Sequence, residues 1–583
     1  MFKRSYRAVG ISLLLALGLA ACGDSTRSVG STPGDGTPPP ATPPNKVCET
    51  QVSPELFASA DELLALNAKM DSFGLRSTAS PAHQAYVQWL DDELAKIPGM
   101  QMRRIDYSIN RWTETSRRLD VGANAAALTE LRTGNSMPYA QPTPADGITA
   151  PLVYVPADVE IAAADLTGKI LVRDISTVVV PNAAFAALEW FTHDPDNSLT
   201  LDIGGNYERE AMGELGLQNE EAHAAGAVGV IFVHGFPHAQ ANRVYAPYEG
   251  LIWPLPALYV GSDEGEQLKA LAAQNGMARI TLAAEVTPAD TEMVIATLEG
   301  MSPERIVITS HTDGVNALWD NGPPAMVAMA RYFASFDKSC RPRTIEFANT
   351  TSHLHQRLVP PARDGSSEQY ARELDQGFDD GTVAAVIVIE HLGARRYDAV
   401  PRSDGGPGRE LVLSDIHEPN SFFVSESPAL ITALRTTVLA HDLERTIALR
   451  GADLPGARIP QHRSFGGEGG PYNNHLLPTI GFIVAPWTLF TTSQGLDGID
   501  KTLMHRQMLM FTDLVYALGP IPASLLAGNF AAYRIGRDAD CGAGGFSGLY
   551  LCDGTPGMAS PVADRNPSAA PPLRPEFLAP WGK

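Results

Sequence analysis

Ala384-Ala385-Val386-Ile387-Val388-Ile389-Glu390-His391-Leu392-Gly393 runs six apolar residues straight into a carboxylate and an imidazole. An apolar run without polar alternation fits a strand covered on both faces, and such strands belong to parallel sheets flanked by helices. Comparable runs lie at 305–309, 344–348 and 479–484, and helical patterns follow at about 323–336, 427–441 and 502–517. The fold class expected is therefore α/β, with a mostly parallel central sheet covered by helices.

What stands at the ends of these strands is the informative part. The run at 305–309 leads into Ser310-His311-Thr312-Asp313, and the run at 344–348 leads through Asn349 to Thr351-Ser352-His353-Leu354-His355. The quoted stretch ends in Glu390-His391. Open α/β sheets bind ligands outside the carboxyl ends of their strands. Imidazole together with carboxylate is the donor set of zinc and similar ions. Three strands that deliver both groups form a candidate metal or catalytic constellation.

Upstream, residues 54–110 read as helix, helix, strand. Ser59 and Glu62 form a capping box, Gly74 follows the first helix, and Ser80-Pro81 starts the second. The texture changes over 145–285, where short strands (152–155, 169–174, 227–233, 257–260) alternate with a few helices. This order, with Gly168-Lys169-Ile170-Leu171-Val172 and Ala224-Ala225-Gly226-Ala227, resembles a protease-associated domain.

The strand-end motifs carry a second resemblance. Ser310-His311-Thr312-Asp313-Gly314, Trp319-Asp320-Asn321-Gly322 and Ile389-Glu390-His391-Leu392-Gly393 are similar to those of the co-catalytic zinc exopeptidases, which include bacterial zinc aminopeptidases and glutamate carboxypeptidase. The resemblance covers about residues 55–520. It implies His311 as a metal ligand, Asp313 as the group that holds its ring, Asp320 as the bridge between two metals, and Glu390 as a further ligand. The chain also departs from the pattern. The family's general-base glutamate aligns with His353, and the adjacent glutamate ligand aligns with Leu354. The family's final histidine ligand falls in Leu489-Phe490-Thr491-Thr492. One metal site thus keeps His311, Asp320 and Glu390, with His355 and His391 as additional candidates, and His353 replaces the base. One zinc ion is expected rather than two, acting on a peptide or small amide. A non-catalytic protein that binds peptides or glycans in the same cleft remains the alternative. No G-x-S-x-G elbow or H-E-x-x-H helix occurs. Gly466-Gly467-Glu468-Gly469-Gly470-Pro471 opens no evident helix and reads as a loop at a pocket rim.

The ends and the cysteines address the chain. Lys3, Arg4 and Arg7 precede the apolar run Ile11 to Leu19, and Leu19-Ala20-Ala21-Cys22 resembles a bacterial lipobox. That resemblance implies cleavage before Cys22, lipidation there and an extracytoplasmic, membrane-anchored protein. With Gly rather than Asp at 23, the outer membrane of a diderm host is the expected destination. Of five cysteines, lipidation leaves four in an oxidising compartment. Cys541 with Cys552, and Cys48 with Cys340, is the favoured of their three connectivities. The organisation expected is a signal at 1–21, a Pro/Gly/Ser-rich tether at 22–47, an exopeptidase-like domain at 48–135 and 286–520, the protease-associated domain at 136–285, and a disulfide loop with a Pro-rich tail at 521–583. Across 583 residues, 44 basic side chains stand against 66 acidic ones, a balance that argues against a nucleic-acid partner.

Overall fold

The computed structural model describes residues 48–199, 205–246, 252–354, 366–450, 465–492 and 494–541, the backbone alone from 536, and short backbone stretches at 546–547 and 551–552. The signal, Cys22, the tether, His355, the Pro-rich tail and the Cys541–Cys552 pairing lie outside the described residues.

The first helix, Ala60–Asp71, opens as its sequence dictates. The Ser59 hydroxyl accepts from the Glu62 N–H, and the Glu62 carboxylate accepts from the Ser59 N–H at 2.8 Å. Ser80 caps the second helix, Pro81–Ala95. Both turn their apolar faces, including Leu63, Met70, Tyr86 and Leu90, onto the helix Gly322–Ala334 and the sheet. Cys48 is bonded to Cys340, which fixes the start of the described chain beside that helix.

The sheet is built by two blocks of parallel strands joined at one long antiparallel seam. Strand β1 (Met100–Gly122) carries a short partner, β2 (Thr129–Leu131). The inserted domain supplies β3 (Ile148–Tyr154), β4 (Ile170–Asp174), β5 (Thr177–Pro181), β6 (Glu189–His193), β7 (Asn206–Glu210), β8 (Gly229–Val233) and β9 (Ala257–Val260). Strand β10 (Met277–Leu298) returns along the whole of β1. The second block holds β11 (Ser302–His311), β12 (Arg343–Thr350) and β13 (Val383–Val388). A hairpin of β14 (Arg395–Pro401) and β15 (Arg409–His417) follows, then β16 (Asn420–Val424), β17 (Thr446–Leu449) and β18 (Thr479–Ile483). The order is β6-β17-β16-β18-β13-β11-β12-β10-β3-β4-β8-β9. Strand β10 is the seam: its first residues pair with β3 and its last with β12.

The unbroken apolar runs are explained by two-sided burial. Ile306, Ile308, Ala385 and Ile387 pack on one face with the helix Gly322–Ala334. Val307, Val386 and Val388 pack on the other with Tyr370 and Leu374 of the helix Ser366–Asp379. Each of these Ile, Val and Leu side chains contributes about 1.5–3 kcal/mol on burial. Residues 523–527 and 530–541 are helical, where only a loop and tail were expected. Burial of Leu526 and Phe530, and Arg534 donating to the carbonyls of His475 and Asp375, supply the reason. Among the described residues, no helix is long and apolar enough to cross a membrane.

Candidate metal centre

Parallel register places the chemistry. β11 pairs with β12 on one side and β13 on the other, so their carboxyl ends lie together. His311 is the last residue of β11, and Glu390-His391 follow two residues after β13. One ligand atom each from His311, Glu390 and His391 lies within 4.8 Å of the other two, and all three residues are buried. Glu390 Oε2 is 3.6 Å from His311 Nε2 and 3.7 Å from His391 Nε2. Both distances exceed a hydrogen bond, and both Nε2 atoms are buried without a hydrogen-bond partner.

The far side of each ligand is fixed. His311 Nδ1–H donates to the Asp313 carbonyl at 2.8 Å, and His391 Nδ1–H donates to the Val484 carbonyl. When the rings are neutral, as metal binding requires, these bonds put the lone pair of each imidazole on Nε2, facing Glu390. The Glu468 N–H donates to Glu390 Oε1 at 2.7 Å and leaves Oε2 for the centre. His391 takes φ of +56°, a left-handed conformation that costs a non-glycine residue about 1–2 kcal/mol. Strain of this kind concentrates where function requires a side chain to be aimed. At Gly467, a Cβ would stand 2.2 Å from Glu390 Oε1, so only glycine lets that loop close on the carboxylate.

Behind these three side chains lies a second pair, Glu468 buried and His353 partly exposed. His353 Nδ1 bonds Glu468, whose other oxygen accepts from the Ser367 hydroxyl at 2.5 Å. The His353 ring stacks on that of His311 with centroids 4.3 Å apart. Burial works against ionisation of Glu468, but the His353 pair outweighs it and holds the carboxyl at about 2. Burial likewise opposes a charge on His311, yet Glu390 and Glu468 lift it to about 9. Burial pushes His391 down to about 4 in spite of Glu390. Asp313, Asp320, Glu390 and Glu468 are all buried here, and Arg76 is the one buried guanidinium bonded to any of them among the described residues. Such a site is short of positive charge, which suits a cation.

Two expected site residues make other contacts than the resemblance implied. Asp320 is not part of the converging group. Arg76, itself fully buried, donates to both its oxygens (Nε–Oδ2 2.7 Å, Nη2–Oδ1 2.5 Å). Arg76 is further tied to the carbonyls of Asn316 and Gly74. Asp313 orients His311 through its carbonyl rather than its carboxylate. That carboxylate accepts from the His353 and Leu354 N–H groups at 3.1 and 2.8 Å, and from Thr78 Oγ1 at 2.6 Å. It closes the turn that lays His353 over His311. Neither His475 nor His505 joins the site: His475 bonds Glu368 and Asp375, and His505 packs against Phe57.

Leu354 and Leu489, from the two segments matched to the second ion's own ligands, meet in one apolar cluster with Val315 and Trp319, and Phe490 packs against it. Sequence reasoning missed two participants. Arg76 lies in a loop and reaches its partner across 244 residues, a separation that leaves no local signal. Glu468 was visible only as the one carboxylate of the glycine-rich loop, which does lead into a short helix, Gly469–Asn474.

No family model matches the chain, and no curated protein does. Solved structures do. BSAP, a zinc aminopeptidase from Bacillus subtilis, is 16% identical with a TM-score of 0.53, over 79% of this chain and 94% of that one. A Peptidase M28 precursor from Shewanella amazonensis is 15% identical with a TM-score of 0.54, over 80% and 97%. The likeness extends over nearly the whole of both solved proteins and about four-fifths of this chain, and with the strand order and the strand-end placement above it shows that this chain has the M28-type zinc exopeptidase fold.

Proposed function

We propose that the chain is a metal-dependent hydrolase of peptides or small amides, built around one zinc ion and held to a membrane by a lipid on Cys22. The observation that carries the hydrolase reading is the convergence of two buried, unpartnered imidazole nitrogens on one carboxylate oxygen. His311, Glu390 and His391 would hold the ion, and two nitrogens with one oxygen is a donor set found in catalytic zinc sites. A single ion is supported by Arg76, which neutralises Asp320, and by the apolar cluster around Leu354. Zinc bound there supplies Lewis-acid chemistry, polarising a carbonyl and acidifying water.

The chain's own residues supply the rest. The carbonyls of Asp313 and Val484 and the N–H of Glu468 keep the three ligands aimed. Glu468 engages His353 Nδ1, which leaves Nε2 of that ring to take and return a proton as general base and acid. The test is elemental analysis of the wild type, His311→Ala, His391→Ala and Asp320→Asn, with peptide and amide hydrolysis assays. One equivalent of metal is expected in the wild type and in Asp320→Asn, and none in the histidine variants. A wild type that takes up no metal after refilling overturns the reading; stoichiometric metal without hydrolysis leaves a binding protein. The anchor is supported by the basic start, the short apolar run and the small residues before Cys22. Cys22→Ala should abolish partition into detergent with the membrane fraction, and mature, membrane-bound variant protein would refute the anchor.

A further inference from the structure

Between β4 and β8 the inserted domain makes an excursion. β5 and β7 form a two-stranded ribbon, and β6 between them pairs with β17 at the opposite edge of the large sheet. The ribbon is thereby laid against the chain that leaves β18. Side chains two apart on a strand share a face, and on β7 Tyr207 and Arg209 reach the same atom. Arg209 Nε–H donates to the Ala485 carbonyl at 2.5 Å, and the Tyr207 hydroxyl donates to it at 3.3 Å.

Ala485 adjoins the metal centre through its neighbour. The Val484 carbonyl is the acceptor that fixes His391 Nδ1–H. This stretch lies beyond the sheet ladder: the last partners of β18 are Gly481 with Val388 on one side and Ile483 with Ser421 on the other. Pro486 follows and biases Ala485 towards extended backbone, in which neighbouring carbonyls point to opposite sides. One carbonyl faces His391 and the next faces the ribbon.

Arg209 is itself held firmly. Its guanidinium lies over the rings of Tyr207 and Trp487, and it donates to the Glu418 carboxylate at 3.1 Å and to the Glu208 carbonyl at 2.6 Å. All three nitrogens are engaged, and a planar fork fixed in this way loses little freedom on holding the Ala485 carbonyl. His391 depends on that grip, since a displaced Val484 would leave its buried Nδ1–H without an acceptor. We infer that the inserted domain completes the metal centre: Arg209, seconded by Tyr207, is a positioning residue that clamps residues 484–485 and so keeps the His391 imidazole aimed at Glu390. The inference rests on reading His311, Glu390 and His391 as the metal ligands.

The full chain is titrated with zinc against a chromophoric chelator, and the visible absorption of its cobalt(II) form is recorded. Arg209→Met alone would strand the buried Glu418 carboxylate, so it is combined with Glu418→Gln, and Glu418→Gln alone is the first control. Arg409→Met is the second, because Arg409 bonds Glu208 of the same ribbon at 3.0 Å and lies over Trp487, yet donates to neither carbonyl. Groups that orient ligating histidines are worth about 10–100-fold in metal affinity, so the double variant should bind zinc about 10-fold more weakly than wild type or worse. Its cobalt bands should shift, while both controls keep wild-type affinity and spectrum. Tyr207→Phe removes one donor and no charge; it should move both readouts the same way by less, and it decides alone if the double variant does not fold. Wild-type affinity and spectrum in these variants overturn the inference, as does an equal loss in either control. A wild type that takes up neither ion sinks the metal reading and the clamp with it; full metal binding that is indifferent to Arg209 and Tyr207 sinks only the clamp.

Discussion

Arg76→Met separates a single-ion centre from a two-ion one. Arg76 and Asp320 are both fully buried, and the guanidinium makes four contacts: two to the carboxylate and two to the carbonyls of Asn316 and Gly74. Methionine keeps most of the stem volume and removes all four. The carboxylate is then left in the interior without its partner. Breaking a buried pair this way costs about 3–5 kcal/mol, because desolvation of the remaining charge goes uncompensated. Asp320→Asn alone strands the guanidinium instead and should also destabilise. The double variant, Arg76→Met with Asp320→Asn, removes both charges and leaves the amide and the buried Asn316 carbonyl short of partners, a cost of about 1–3 kcal/mol for each. It should therefore be clearly more stable than the sum of the single losses. Guanidinium denaturation followed by circular dichroism measures all four proteins, and elemental analysis runs beside it. Metal content should stay at one equivalent throughout, since His311, Glu390 and His391 are untouched. A loss below about 1 kcal/mol in Arg76→Met, or strict additivity in the double variant, refutes the buried-pair argument. Loss of metal in Asp320→Asn would make Asp320 a ligand after all.

Two further outcomes follow from the pairs on either side of the centre. His353→Ala should lower kcat by about 10²–10⁴, the usual worth of a positioned acid–base group, with metal content retained; Glu468→Gln should lower kcat with a shifted pH profile, and an unchanged profile would make Glu468 merely structural. At His475, burial opposes the charge, but the facing carboxylates of Glu368 and Asp375 raise the imidazole above its ordinary value of 6.5. Its stabilising contribution is thus fully present below about 6.5 and fades as pH climbs through the raised value; thermal unfolding from pH 6 to 9 should show this decline flattened in His475→Gln, and identical slopes would refute it.

The relation between the two levels of reading is clearest at the strands. The unbroken run Ala384 to Ile389 fits a doubly covered strand, since six apolar residues without alternation leave no face for water and the run is short and rich in β-branched residues. His311 and Glu390 were legible because parallel strands release their chain at one end, so residues next to the runs share an edge. Capping at Ser59 and Ser80 is local chemistry within four residues and needed no partner. The long antiparallel seam of β1 and β10 was harder: β1 shows imperfect alternation, with exposed positions on both faces and a register shift between Glu114 and Ser116. The excursion that carries β6 to β17 had no local mark at all.

What the sequence alone determined is the covered sheet, the helices that cap themselves, and which strand ends carry imidazole and carboxylate. These rest on periodicity and short-range bonding, which are properties of neighbours in the chain. What only the tertiary structure decided is the destination of each charged side chain. Asp320 is bonded to Arg76 and not to the converging histidines, His391 is turned inward by a left-handed backbone, and Glu468 holds both Glu390 and His353. A buried charge must find a counterpart or remain costly, and that counterpart is chosen by proximity in space across separations of 78 to 244 residues.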